Sequence, residues 1–449
     1  MIKKALTVTA QDQIKDFKKT INVDSDKSIS IRSFLIGAIS HNLSKVKNVL
    51  ESEDVFSCIS CLQKLGVKII KSGKKEYLIY GKGLGSFIAK NNTILNCGNS
   101  GTVTRLLIGI LSTNPNINVK ITGDNSLKKR NMSKLFDIMV KFGTSFYPKN
   151  KKNLPITLVS SEMPIGINYK AGVSAQLKSA TILAGLNSYG TTEIVEEAKS
   201  RNATENMLSR SNKVIEIKKN KKKQNIIKIN GKKYLKPLNS IIPADPSSAA
   251  FFTALTLMKK RSNLIIKNVG LNERRIGFYN LLKKHGAKIN FKNKKTINDE
   301  PIGDIHVKSS KLKPIKASAK FYPSTTDEYP ILFIVSSLIP GTSIFKGIKD
   351  LANKESNRIE EIKKILQKAN IKCKSSSDEM QVFGVKKINL TKKVITIPNL
   401  GDHRICMSAI IFALLTGVKI KIKNFETVYT SSPSFLKIIK SLGGHVKIR

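Results

Sequence analysis

Four short motifs gather cations and acids at spacings that suit work on small anions. Asp26-Lys27-Ser28-Ile29-Ser30-Ile31-Arg32 supplies a lysine just ahead of an apolar run, and Asp124-Asn125-Ser126-Leu127-Lys128-Lys129-Arg130 sets Arg130 before a helical pattern. Lys354-Glu355-Ser356-Asn357-Arg358 holds a carboxylate between two cations, with Arg358 one helical turn beyond Lys354, and Asp402-His403-Arg404 opens another apolar run. Arginine forks grip phosphate and carboxylate bidentately, so this pool fits a protein that holds two small, multiply charged anions. Asp327 and Glu355 stand among these motifs and not on helix surface charge, and a carboxylate among cations stays ionised and can act as a base. Spacing alone also accommodates an ordinary capping or surface glutamate at 355. His403 reads as an orienting group, because no His, Cys or Asp cluster with metal-ligand spacing accompanies it.

Such groups need elements that aim them. Polar motifs begin at Ser28, Gly101, Ser174, Ser247, Asp327 and Asp402, at steps of 73, 73, 73, 80 and 75 residues, and each leads into an almost wholly apolar helix pattern. A helix apolar all round is buried, and its first turn presents unpaired N–H groups and positive partial charge. Gly98-Asn-Ser-Gly101-Thr-Val-Thr-Arg105 is then an anion-binding helix start, glycine allowing close backbone approach and Arg105 adding full charge one turn in. A second series interleaves with the first: amphipathic helix patterns stop at Gly66, Gly143, Asn212, Gly286, Asn370 and Gly443, at steps of 77, 69, 74, 84 and 73. Gly or Asn there is the usual left-handed helix stop, and a fixed period marks repeated units.

The expected architecture is α/β: two globular domains of three repeats each, with helix starts facing an interdomain cleft. The short β segment Ala5 to Ala10 pairs into the second half, so the chain crosses between globules near Val23 and near Ile242. That gives residues 23–241 as one three-repeat globule, and 1–22 with 242–449 as the other.

The 449 residues carry 79 Lys+Arg against 31 Asp+Glu, a formal charge of +48. Lysine is spread along the whole chain, and the one dense run, Lys218 to Lys223, falls between β-like segments as a solvated hairpin tip would. With 6% aromatics and no Trp there are few stacking platforms for single strands, so nucleic acid is not the expected partner. The field should instead concentrate small anionic substrates. No run approaches a membrane span, and the first ten residues do not read as a signal peptide, so the expected location is the cytoplasm. Five cysteines fit a reducing compartment, and Cys58 and Cys61 share one buried face of a helix pattern.

Taken in order, Asp-Lys-Ser-Ile-Ser-x-Arg, Gly-Asn-Ser-Gly-Thr-x-x-Arg, Ser-Ala-Gln-x-Lys-Ser-Ala, Asp-Pro-Ser-Ser-Ala-Ala, Asp-Glu-Tyr-Pro, Lys-Glu-Ser-x-Arg and Asp-His-Arg span nearly the whole chain. This set resembles the 5-enolpyruvylshikimate-3-phosphate (EPSP) synthase family, in the branch with Ser-Ala-Gln and Asp-Glu-Tyr-Pro. The resemblance implies two domains of three βαβαββ-type repeats with buried parallel helices, an inverse α/β prism with its site in the interdomain cleft. It implies transfer of the enolpyruvyl group of phosphoenolpyruvate to the 5-hydroxyl of shikimate 3-phosphate, without metal or organic cofactor, in aromatic amino acid biosynthesis. Carried over by motif, Lys27, Gly101, Arg130, Gln176, Arg358 and Arg404 would bind phosphoenolpyruvate. Lys27, Ser28, Arg32, Ser174, Ala175, Gln176, Arg201, Asp327 and Lys354 would bind shikimate 3-phosphate. Asp327 would take the 5-hydroxyl proton, and Glu355 with Lys27 would deliver a proton to the methylene carbon. Family members are usually monomers, and Gly101 leaves room for the inhibitor glyphosate.

The sequence departs from the family pattern in places. Asp24-Ser25 stand for the usual Pro-Gly, which suggests a looser turn ahead of Lys27. Ala352-Asn353 replace Arg-Val, Asn357 replaces an acid, Asn131 follows Arg130 where Pro is common, and Ser432 replaces Phe. The sister enzyme acting on UDP-N-acetylglucosamine normally has Lys-Asn after the first aspartate and a loop cysteine. Here Ser28 follows Lys27, and no cysteine lies between Cys97 and Cys373.

Overall fold

The computed structural model describes residues 6–297, 299–388 and 394–449. The chain divides into two compact units. One comprises Ser25–Ile242 with Ile297–Glu300; the other comprises Met1–Asp24, Pro243–Thr296 and Pro301–Arg449. Each has its own hydrophobic core.

The unit built on Ser25–Ile242 contains three four-stranded sheets. In the middle repeat, Ile94–Asn96 runs into helix Gly101–Ser112, returns as Asn118–Thr122 parallel to the first strand, and passes through helix Ser133–Val140. It ends in an antiparallel pair, Ser145–Tyr147 and Ile156–Val159. A parallel pair requires a crossover and an antiparallel pair does not, so this is the βαβαββ order. The other two repeats copy it, except that the first strand of the first repeat is Asn239–Ile241, which lies parallel to His41–Lys47 in the register Ser240 to Val46. Burial alternates along Thr191–Glu196 and Asn225–Asn230, one sheet face meeting the helices and the other meeting water.

The second unit repeats this plan with Lys18–Ile21 supplying its first strand, parallel to Asn263–Gly270. Val8–Ala10 inserts between Ile420–Ile422 and Val446–Ile448, antiparallel to both, and so completes the last sheet.

The helix that follows the first strand of each repeat is the core element. Lys27–Ile39, Gly101–Ser112, Ala175–Gly185, Pro246–Met258, Tyr329–Ser337 and His403–Thr416 are buried along nearly their whole length. Close packing fixes small residues between them: a Cβ at Gly109 would stand 2.5 Å from the Ala180 carbonyl oxygen. The outer helices stop at left-handed Gly66, Gly143, Gly286, Asn370 and Gly443 as the sequence predicts. The remaining stop differs. Helix Ala203–Leu208 ends early, the Ser211 N–H bonds back to the Leu208 carbonyl, and the left-handed conformation falls on Lys213 instead of Asn212.

The lysine-rich run joins strands Ile215–Lys219 and Asn225–Asn230, its tip closed by Asn220 and Gln224. It is an exposed hairpin end. Cys58 and Cys61 are buried in helix Glu53–Lys64. No helix among the described residues is long and apolar enough to cross a membrane.

Candidate active site

In the Ser25–Ile242 unit the three buried helices begin alike. Asp26, Ser100 and Ser174 cap them, their side chains accepting from the backbone N–H of Ile29, Val103 and Leu177. Each cap takes a third-residue N–H, and the helix ladder offers no acceptor to the first two. Lys27, Gly101 and Ala175 therefore occupy equivalent positions at the positive helix end, followed by Ser28, Thr102 and Gln176.

Side chains tie these starts together. Arg32, one turn into the first helix, is buried; its Nε donates to Thr204 Oγ1 at 2.9 Å, Nη2 to Ser179 Oγ at 3.3 Å, and Nη1 to the Ser28 hydroxyl. Arg105 Nη1 donates to Gln176 Oε1 at 2.7 Å, and Gln176 Nε2 donates to Thr102 Oγ1 at 2.9 Å, which joins the second helix start to the third. Arg130 Nη2 donates to Asn99 Oδ1 at 2.9 Å in the Gly98–Gly101 turn. Lys27 Nζ pairs with Asp54 Oδ2 at 3.0 Å.

Gly101 has ordinary helical backbone, and what requires a glycine is the space its missing Cβ leaves. A Cβ there would lie 2.6 Å from Arg105 Nη1 and 2.9 Å from Arg130 Nη1. The glycine thus lets two guanidinium groups close over a helix N-terminus.

The Pro243–Arg449 unit brings the acids together. Arg358 is 1% exposed yet charged: its Nε donates to Asp402 Oδ2 at 2.9 Å, its Nη2 to Glu355 Oε2 at 2.5 Å, and its Nη1 lies 3.6 Å from Asp327 Oδ1. Burial disfavours the cation, but the surrounding Asp402, Glu355 and Asp327 carboxylates outweigh it and raise the arginine above its usual range. Arg404 Nη2 lies 3.9 Å from Asp327 Oδ2, so Asp327 sits between two arginines. Although Arg404 is only 5% exposed, its Nε and Nη1 have no hydrogen-bond partner among the described residues. The Lys354 ammonium donates to Asp350 Oδ2 at 2.5 Å, and the Tyr322 hydroxyl donates to the same oxygen at 2.9 Å.

Behind these groups stand residues to which the motifs assign no role in the site. Asp402, fully buried, caps the last helix through Arg404 N–H at 3.0 Å, and also accepts from Ser356 Oγ and Arg358. Arg275 bridges Asp245 and Ser247 beside Glu328, the neighbour of Asp327. Lys178 pairs at 2.6 Å with both Glu196 and Glu205 inside the other unit. Each is a contact between distant segments, with no local spacing to reveal it. Among the described residues no group of three or more His, Cys, Asp or Glu could hold a metal ion.

Two units of βαβαββ repeats, with cations and carboxylates collected at buried helix starts, define an enolpyruvyl-transferase fold. It is shared at TM-score 0.77 and 12% identity, over 99% of both chains, with the enolpyruvyl transferase NikO of Streptomyces tendae. The chain itself belongs to the EPSP synthase (3-phosphoshikimate 1-carboxyvinyltransferase) family, whose sequence model matches residues 11–439. It is 39% identical to the 3-phosphoshikimate 1-carboxyvinyltransferase of Petrotoga mobilis over 94% of this chain and 96% of that one, and 36% identical to that of Zymomonas mobilis over 95% and 94%. A solved EPSP synthase from Acinetobacter baumannii superposes with TM-score 0.83 at 32% identity, covering 99% of this chain and 100% of the other.

Proposed function

We propose that these two sets of residues carry the family's reaction in this chain, transfer of the enolpyruvyl group of phosphoenolpyruvate to the 5-hydroxyl of shikimate 3-phosphate. Asp327 takes the hydroxyl proton as the oxygen attacks C2 of phosphoenolpyruvate, and Glu355 with Lys27 supplies a proton to the methylene carbon. The tetrahedral adduct then loses the methyl proton and its C2–O bond to phosphate, giving the enol ether and inorganic phosphate. An unactivated enol phosphate is a poor electrophile, so acid and base must act together in a site that excludes water.

Lys27, Gly101, Arg130, Gln176, Arg358 and Arg404 hold phosphoenolpyruvate in this reading. Lys27, Ser28, Arg32, Ser174, Ala175, Gln176, Arg201, Asp327 and Lys354 hold shikimate 3-phosphate. The observation that carries it is Arg404, a buried guanidinium with two unmatched donors beside Asp327. An unmatched buried charged donor is costly, and a bound carboxylate or phosphate removes that cost. The reading takes the protein as a cytoplasmic monomer that binds small anions and not nucleic acid, needs no cofactor, and is inhibited by glyphosate.

The test is phosphate release on mixing the protein with phosphoenolpyruvate and shikimate 3-phosphate, each omitted in turn, with UDP-N-acetylglucosamine as the alternative acceptor. Release only with shikimate 3-phosphate is expected. Release with the sugar nucleotide, or with neither acceptor, overturns the reading.

A further inference from the structure

Lys178 is the one lysine among the largest fully buried side chains of the described residues, and its partners are buried with it. Its Nζ lies 2.6 Å from Glu196 Oε1 and 2.6 Å from Glu205 Oε1, with side-chain exposures of 0%, 0% and 1% for the three residues. Desolvating such a group costs several kcal/mol per ion, and well-packed apolar side chains of similar volume commonly stabilise a core as well or better. Stability alone therefore gives little reason for the cluster.

Its connections supply one. Glu196 Oε1 also accepts from the Ser200 backbone N–H at 3.0 Å and the Ser200 hydroxyl at 3.3 Å, while Asn225 Nδ2 secures Glu196 Oε2 at 2.7 Å. Ser200 immediately precedes Arg201. Glu205 lies in helix Ala203–Leu208 beside Thr204, whose hydroxyl receives Arg32 Nε and donates to Ser179 Oγ at 2.9 Å. One ammonium, one turn inside the helix capped by Ser174, thus pulls on two segments. The first carries Arg201; the second holds Arg32.

We propose that Lys178 is a positioning residue for the phosphate-binding half of the acceptor subsite, setting Arg32 and Arg201 through Glu205 and Glu196 without touching substrate. This rests on the functional reading above, which assigns those arginines to shikimate 3-phosphate. Misplacing a charge-gripping side chain by about 1 Å costs up to about 100-fold in a preorganised site, so the effect should fall on one substrate.

The test compares wild type with Lys178→Met and with the charge-neutral triple variant Lys178→Met/Glu196→Gln/Glu205→Gln, which keeps side-chain volume and leaves no buried carboxylate unpaired. Steady-state kinetics, calorimetric binding of shikimate 3-phosphate and thermal unfolding are measured on each. The KM and Kd for shikimate 3-phosphate should rise about 10- to 100-fold in both variants, with KM for phosphoenolpyruvate within about 3-fold of wild type. In the triple variant that loss should persist at a wild-type unfolding temperature. Wild-type acceptor affinity in either folded variant, or a loss that follows unfolding temperature and recovers in the triple variant, overturns the proposal. If Lys178→Met does not fold, the triple variant decides alone. Failure of the functional reading is seen separately, as wild-type protein that neither binds nor turns over shikimate 3-phosphate, and the proposal falls with it.

Discussion

The Asp24 carboxylate accepts a 2.9 Å hydrogen bond from the Ser432 hydroxyl, across more than 400 residues of chain. Both positions depart from the pattern of the family, and they depart towards each other. Asp24 Oδ2 also accepts from Ser434 N–H at 3.0 Å and Ser434 Oγ at 2.7 Å, and its own carbonyl receives Asp245 N–H at 2.8 Å. The segment before Lys27 is therefore tied down, contrary to the looser turn expected when Asp24-Ser25 stand in place of Pro-Gly. A buried carboxylate with three donors replaces the stiffness that proline would give.

Removing either partner should expose that dependence. Asp24→Ala strands three donors and should cost about 3 kcal/mol in urea denaturation, while Ser432→Ala leaves two of the three bonds and should cost about 1 kcal/mol. The double variant should recover about 1 kcal/mol relative to the sum. Strict additivity would mean that the contact contributes nothing.

Asp327→Ala tests the base directly. The residue is partly exposed between Arg358 and Arg404, so its loss leaves the core intact. Turnover should fall below detection while the unfolding temperature and shikimate 3-phosphate binding stay measurable. Near-normal turnover would remove Asp327 from the base role.

Asp402→Asn addresses the support under the arginines. Asparagine can still cap through one oxygen, but it places a donor against the Arg358 fork and removes the fully buried member of the Arg358 cage. The expected loss is about 100-fold in kcat/KM, mainly through KM for phosphoenolpyruvate, with about 3 kcal/mol of stability. A variant with unchanged KM would show that pairing by Glu355 and Asp327 suffices to hold Arg358.

Acid stability offers a prediction remote from the site. Burial alone would raise the Asp304 carboxyl, but Lys267 at 2.6 Å, the Asn268 N–H and Asn293 together hold it below its usual value. A carboxylate depressed in the folded state adds stability above its unfolded pKa, near 4, and that stability is lost as pH falls through the folded value. Asp304→Asn should therefore lower the unfolding temperature at pH 7 and flatten its decline below about pH 4. Parallel curves for the two proteins across that window would refute the assignment.

Much of the candidate site was legible because its residues follow the chain's own period. Lys27, Gly101 and Ala175 recur at equivalent helix positions, and Arg358 and Arg404 lie within a turn of recognisable acids. The supporting layer was not legible, since Lys178 to Glu205 and Lys27 to Asp54 join helices that meet only when a repeat folds, and Arg358 to Asp402 joins two neighbouring repeats. The fold itself was readable from the repeated helix stops, with one miss. The Ala203–Leu208 helix is too short to carry its pattern to Asn212, so a lysine takes the left-handed turn. Nor did local pattern reveal that Asn239–Ile241 heads the first sheet, because three residues are too few for alternation to register.

Gly101→Ala gives the most specific prediction about inhibition. The new methyl group would meet Arg105 Nη1 and Arg130 Nη1 well inside contact distance, and both are side-chain tips that can withdraw. Gly101 is the first residue of its helix, with backbone that alanine adopts freely, so the variant should still fold. The two guanidinium groups would move away from the helix start, weakening both anions that use it. Glyphosate should need about 10-fold higher concentration for half-inhibition, with a smaller rise in KM for phosphoenolpyruvate and no change for shikimate 3-phosphate. An inhibition curve that superimposes on wild type would mean that glyphosate does not approach Gly101 in this protein.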